Sequence, residues 1–128
     1  MIVIDASVLI AHLDADDAAH ASAQQLLLSA AGSPFGTSPI TMAEVLVGPT
    51  RAGRVSEAAT ALEELGIETF PLPPDAPTRL AALRATTSLK LPDCCVLLTA
   101  EQRGATGIAT FDRRLAARAH ELGFTVAQ

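Results

Sequence analysis

Short apolar runs alternate with longer amphipathic or Ala-rich stretches along the whole chain. Ile2-Val3-Ile4, closed by Asp5, reads as a buried parallel strand, because β-branched residues follow one another without polar alternation. Residues 7–13 read as a helix, with Val8, Leu9 and His12 at helical intervals. Asp14, Asp16 and Asp17 break the pattern, and 18–31 resumes it as a helix rich in Ala, Gln and Leu. Gly32-Ser33-Pro34 predicts a turn before a short strand at 35–37. Thr41 is placed to cap a helix in which Glu44, three residues on, completes a capping box. Pro49 and Gly53 are expected to end or kink that helix.

The second half follows the same rhythm. Residues 56–65 predict a helix stopped by Gly66, 67–70 a strand, and Pro71 to Pro74 a rigid connector. A helix is expected from about 75 to 88, and another between Pro92 and Gly104, in the N-terminal-Pro, C-terminal-Gly sense. Its stretch 94–98 is apolar on every side, so a strand is the competing assignment there. Residues 108–110 form a small strand, 112–121 a helix and 124–126 a closing strand. Strands that alternate with helices imply an α/β fold with a largely parallel sheet flanked by helices. No repeat, linker or low-complexity segment interrupts it, so a single domain over 1–128 is expected.

Composition sharpens this picture in three places. The chain has 128 residues, no Trp or Tyr and only four Phe, so Ala, Leu, Val and Ile supply the core through many small contacts. Its formal net charge is −5, which argues against a general nucleic-acid binder. No Lys or Arg precedes Arg51, and eight of the nine basic residues are Arg, which favours bidentate phosphate contacts. Codon bias toward Ala and Arg explains the same arginines equally well. Cys94 and Cys95 are adjacent, which suits neither a disulfide nor a zinc site, and core packing is expected for both. The first residues lack a basic segment and a long apolar stretch, so no signal peptide is expected. No apolar run approaches the roughly 20 residues that span a bilayer, and a cytoplasmic location is expected.

Four acids stand out by position. In an open α/β sheet, ligands bind at the carboxyl ends of the strands. Asp5 ends the first strand, and Asp112 lies just past the strand at 108–110. Glu44 and Asp93 lie near the starts of helices expected to begin at that same edge. Four carboxylates converging there would raise one another's pKa unless a cation intervened. Mg²⁺ and Mn²⁺ favour oxygen ligands, and such an ion turns an acidic pocket into one that attracts phosphate and activates water. Each acid also has a plainer role: Asp5 and Asp112 as helix N-caps, Asp93 as a charge favouring the helix dipole, and Glu44 as the partner of Thr41.

Ile2-Val3-Ile4-Asp5-Ala6-Ser7-Val8-Leu9 resembles the first motif of PIN-domain nucleases. The stretch from Thr37 through Glu44 to Gly48 is similar to the second, Leu89-Lys90-Leu91-Pro92-Asp93 with Thr99-Ala100 to the third, and Gly104-Ala105 with Ile108-Ala109-Thr110-Phe111-Asp112 to the fourth. All four occur in order across the chain. The resemblance implies a PIN-like three-layer α/β fold. Within that family, the length and compactness look like VapC toxins. That likeness implies a Mg²⁺- or Mn²⁺-dependent endoribonuclease, a homodimer, and inhibition by a cognate VapB-like antitoxin. It also implies that Asp5, Asp93 and Asp112 hold metal and that Glu44 completes the acidic set. Ser7 and Thr110 would orient carboxylates or metal waters. Cys94 and Cys95 depart from the alanine-like residues expected after the third acid.

Other readings are weaker. Haloacid-dehalogenase-like phosphatases need an Asp where Ser7 stands, and receiver domains need an acidic pair and a late-strand lysine. A PIN-like module that binds RNA or protein without cutting is the remaining alternative. His12, His20 and His120 are assigned to surface or helix-face roles. Arg113, Arg114, Arg51 and Arg54 are read either as phosphate contacts or as solvated helix residues. Apolar side chains on the helices of residues 7–31 are expected to leave a groove for an antitoxin helix.

Overall fold

Three-residue strands cannot form a sheet alone, and here helices packed on both faces of the sheet hold them. The computed structural model describes residues 1–128. The elements run β1 (Ile2–Ile4), α1 (Ala6–Leu13), α2 (His20–Ser29), β2 (Phe35–Thr37), α3 (Pro39–Arg51), α4 (Val55–Glu64), β3 (Ile67–Thr69), α5 (Ala76–Thr87), α6 (Leu91–Gln102), β4 (Gly107–Ala109), α7 (Arg113–Glu121) and β5 (Thr125–Ala127). The sheet order is β3-β2-β1-β4-β5, and every adjacent pair is parallel.

Alternation along the central strands divides the core into two layers. Ile4 of β1 and Ala109 of β4 pack with Val8, Leu9, Leu26, Val45 and Leu62 of α1 to α4. Val3 and Ile108, one residue earlier on the same strands, face Leu89, Leu97, Leu115 and Ala119 of the α5–α7 side. The result is a three-layer arrangement, helices on both faces of a parallel sheet, which is why strand residues on both sides are apolar. Cys94 to Ala100 of α6 are all buried, because this helix lies against the sheet and is covered by α3 and α5. The apolar run at 94–98 is therefore a helix. Both cysteines are free, and burial pushes the Cys95 thiol up to about 11, so neither is poised as a nucleophile.

One cap differs from expectation. Ser38, not Thr41, begins α3: its side chain accepts from the Thr41 N–H at 3.0 Å, and Pro39 occupies the first turn. A proline in the first turn requires the cap to precede it, which the Ser38-Pro39 pair satisfies. Thr41 is instead buried, its hydroxyl 3.0 Å from Ser38 Oγ. Pro49 does not end the helix either; it sits in the last turn, and the chain leaves after Arg51 through Gly53 at φ 69°.

Candidate acidic site

Strand order reverses at β1: the chain moves outward to β2 and β3, then returns to place β4 and β5 on the other side. The crevice at such a switch point, beyond the strand ends, is where α/β sheets hold ligands. Asp5 stands there, 5% exposed. Its N–H donates to Ala109 O of β4 at 2.9 Å, and Thr37 Oγ1 of β2 donates to Ile4 O at 3.2 Å, which ties the end of β1 to both neighbours.

The Asp5 carboxylate is fixed on one side. Its Oδ2 accepts from Ser7 Oγ at 2.6 Å and from Thr110 Oγ1 at 2.8 Å, with the Ser7 N–H a longer 3.4 Å away. Those hydroxyls are fixed in turn, because Ser7 Oγ accepts from Phe111 N–H and Thr110 Oγ1 from Asp112 N–H, each at 3.0 Å. Oδ1 has no hydrogen-bond partner, and His12 Nδ1 is the only fully buried side-chain polar atom left without one. Oδ1 must therefore reach the cleft. Asp112 is built alike: Oδ1 accepts from the Arg114 and Leu115 N–H groups at 2.8 and 2.9 Å, capping α7, and Oδ2 is free. Capping thus occupies one oxygen of Asp112 and leaves the other free.

Glu44 and Asp93 enter from α3 and α6, which pack against each other. Asp93 lies in the first turn of α6. Burial pushes its carboxyl up to about 6, helped by the negative charges of Asp5, Asp112 and Glu44 and opposed by Lys90. Glu44 is raised for the same reasons, burial first and then Asp5, with Lys90 again opposing. All four acids therefore share one electrostatic environment. Like charges in one cleft favour keeping a proton, or taking up a cation.

No three His, Cys, Asp or Glu side chains lie close enough together to hold a metal ion between them. The open oxygen-only donors nonetheless fit a hydrated Mg²⁺ or Mn²⁺, since Mg²⁺ keeps several waters while one or two carboxylates hold it. Free Oδ1 of Asp5 and free Oδ2 of Asp112 are donors of that kind.

Other candidates fall elsewhere. Arg114 Nη2 donates to Ser88 O at 3.2 Å, and Arg113 lines a separate cavity with His120 and Phe124 beside α7 and β5. Arg54 pairs with Glu57 at 2.7 Å on an exposed helix. His12 and His20 stack with centroids 6.5 Å apart, and His20 Nδ1 lies 2.8 Å from Ala11 O. Burial and then the neighbouring His20 lower the His12 pKa. The residue that sequence reading overlooked is Lys90. Being the chain's only lysine, three positions before Asp93, was its one visible signal.

Several solved structures share this architecture. VapC20 of Mycobacterium tuberculosis, a sarcin–ricin-loop-cleaving toxin, superposes with TM-score 0.78 at 20% identity over 98% of this chain and 97% of its own. A toxin–antitoxin complex from Klebsiella pneumoniae gives 0.75 at 27% identity over 91% of each chain. VapBC2 of Rickettsia felis, bound to a promoter DNA fragment, gives 0.73 at 14% identity over the whole of both chains. No curated protein sequence matches the chain. Residues 2–121 match the PIN-domain family model, and the chain belongs to the PIN-domain family.

Proposed function

We propose that this chain, folded as one PIN domain over residues 1–128, is a divalent-metal-dependent endoribonuclease and the toxin of a toxin–antitoxin pair. The observation that carries the reading is the anchored Asp5: one oxygen held by Ser7 and Thr110, the other open to a cleft shared with Glu44, Asp93 and Asp112. The Klebsiella toxin–antitoxin complex, at 27% identity, supports the biological role, and the RNA-cleaving VapC20 supports the substrate class.

Asp5, Asp93 and Asp112 would hold Mg²⁺ or Mn²⁺, with Glu44 completing the set through water. When bound, the ion supplies Lewis-acid activation of water and neutralises charge that builds on the phosphate. The chain's own residues supply geometry. Ser7 Oγ and Thr110 Oγ1 prevent rotation of the Asp5 carboxylate, so Oδ1 keeps one direction without cost at each turnover. Asp93 holds a proton in part of the metal-free population near neutral pH and releases it as a cation enters.

The partners proposed are RNA, a second copy of the chain and a cognate antitoxin. An apolar groove lined by Ile10, Leu13, Val45, Val47 and Pro49 runs up to Glu44. α1, α3 and α4 supply this groove, and a second one, lined by His12 of α1 and by Gln24, Leu27 and Leu28 of α2, lies on the two helices expected to seat an antitoxin segment. An antitoxin helix seated in the first groove would close the approach to Glu44. No helix is long and apolar enough to cross a membrane, and the proposed place of action is the cytoplasm.

Calorimetric titration with Mn²⁺ separates a nuclease from an inert scaffold. One saturable site or more, lost in Asp5→Asn, is the expected result. Wild-type protein without a saturable site would favour a non-cutting RNA- or protein-binding module.

A further inference from the structure

Lys90 is exposed, and its ammonium takes part in none of the ion pairs of the molecule. The backbone under it is nevertheless held from several directions. Ser88 adopts a left-handed conformation at φ 60°. The Leu89 N–H donates to Thr87 Oγ1 at 3.2 Å, and Leu89 itself is buried. Arg84 Nη1 donates to Leu89 O at 2.7 Å, and Arg114 Nη2, from a different helix, donates to Ser88 O. Lys90 O accepts from Cys94 N–H at 3.0 Å as α6 begins. Two arginines that would otherwise be free to meet phosphate are thus engaged in fixing the segment that presents the lysine.

The position so fixed is the rim of the acidic cleft. Asp93 is three residues further on the same helix start, and the Lys90 charge acts on both Asp93 and Glu44, which belong to different helices. It bonds to neither, so its charge is balanced at a distance and its donors stay available. A phosphodiester approaching four carboxylates is repelled until a positive group meets it, and a lysine ammonium binds phosphate as a point charge. Among the basic residues near the site, Arg114 is tied to Ser88 and Arg113 faces the cavity beside β5. Lys90 is left as the exposed, unpaired donor on a backbone held by these hydrogen bonds.

We propose that Lys90 contacts an RNA phosphate beside the scissile bond and so positions the substrate over Asp5 and Asp93, a role that rests on the ribonuclease reading. Two consequences of opposite sign follow. Removing the charge weakens RNA binding, and it also removes a repulsion on an incoming cation. A lysine that only supported the fold would loosen both.

The test uses the full chain with Lys90→Gln and Lys90→Arg, a fluorescent RNA oligonucleotide that the wild type cuts, and Mn²⁺ alone by calorimetry. For Lys90→Gln, KM is expected to rise roughly three- to tenfold with kcat little changed. The salt dependence of 1/KM should become shallower by about 0.7 in log–log slope, the loss of one single-strand phosphate contact. Mn²⁺ should bind as tightly as to wild type or roughly twofold tighter, and Lys90→Arg should restore KM. Unchanged KM and salt slope, beside a wild type that cuts, would overturn the Lys90 role alone. Weaker Mn²⁺ binding together with a lowered melting temperature would also overturn it, in favour of a structural role. A wild type that cuts no RNA would refute the ribonuclease reading, and the Lys90 role with it.

Discussion

Ser7 and Thr110, from distant parts of the chain and with hydroxyls 3.4 Å apart, converge on one oxygen of Asp5, and Thr110 also accepts the Asp112 N–H. Replacing Thr110 with Val keeps the shape but removes one of the hydroxyl donors to the buried Asp5 carboxylate, leaving Ser7, and deprives the Asp112 N–H of its acceptor. Thr110→Val is expected to lower stability by about 1.5–3 kcal/mol in urea unfolding, the range for hydrogen bonds to charged groups; a midpoint equal to wild type would mean that the hydroxyl does not support Asp5. Asp93 gives a prediction of the other sign. Its folded carboxyl is pushed up to about 6, above the ordinary aspartate value of about 3.9. The folded metal-free protein therefore binds a proton more tightly than the unfolded chain, and that contribution to stability is lost as pH rises through 6. Asp93→Asn should be more stable than wild type at pH 7.5 without metal, by roughly 1 kcal/mol after solvent screening of this half-buried group. The difference should vanish below about pH 4. An advantage that persists at low pH would point to packing rather than charge. The positions of Asp5, Asp93 and Asp112 were legible because each sits where a short strand ends or a helix begins. The place of Lys90 beside Glu44 was not, since it depends on α3 meeting α6, a contact between residues far apart in sequence.

At the scale of elements, the pattern of short apolar runs located every strand and helix to within a few residues. The error was local. Thr41 and Glu44 have capping-box spacing, yet Pro39 needs a cap before it, and Ser38 supplies one. The Thr41 reading freed no donor for the true helix start; the corrected cap leaves Glu44 in the second turn, with its carboxylate available to the cleft. Ser38→Ala should therefore cost about 1 kcal/mol in thermal or urea unfolding, and Ser38→Gly only a few tenths. Equal losses in both variants would argue that the loss comes from burial rather than the cap. Gly36 shows a tighter constraint that sequence alone could not reveal. A Cβ there would stand 2.7 Å from Phe70 Cε2, and Phe70 is itself buried and stacked beneath the Arg103 guanidinium at 3.6 Å. Gly36→Ala should destabilise by about 1–3 kcal/mol, the usual range for overpacking, and a neutral result would mean that Phe70 moves freely. The uniformly apolar run in α6 left helix and strand undecided, because a helix covered on all sides has no polar stripe to betray its period.

Across the whole molecule, a parallel sheet with one reversal of strand order brings acids from positions 5, 44, 93 and 112 into a single electrostatic environment. In the proposed reading, a cation and a rim lysine supply the positive charge toward RNA that the net charge of −5 lacks. Which helices cover the site was not readable from the chain: the groove that reaches Glu44 joins α1 to α3 and α4, a packing choice set by the three-layer topology. The acidic cleft is proposed to be a metal-dependent ribonuclease site. The most direct test is cleavage of RNA by the purified, partner-free protein with Mn²⁺ or Mg²⁺, beside EDTA and Asp5→Asn. Cutting is expected to need the metal and to fall by at least about a hundredfold in the variant, as when a group central to the chemistry is lost. Cutting that persists in EDTA, or in Asp5→Asn, would contradict this reading.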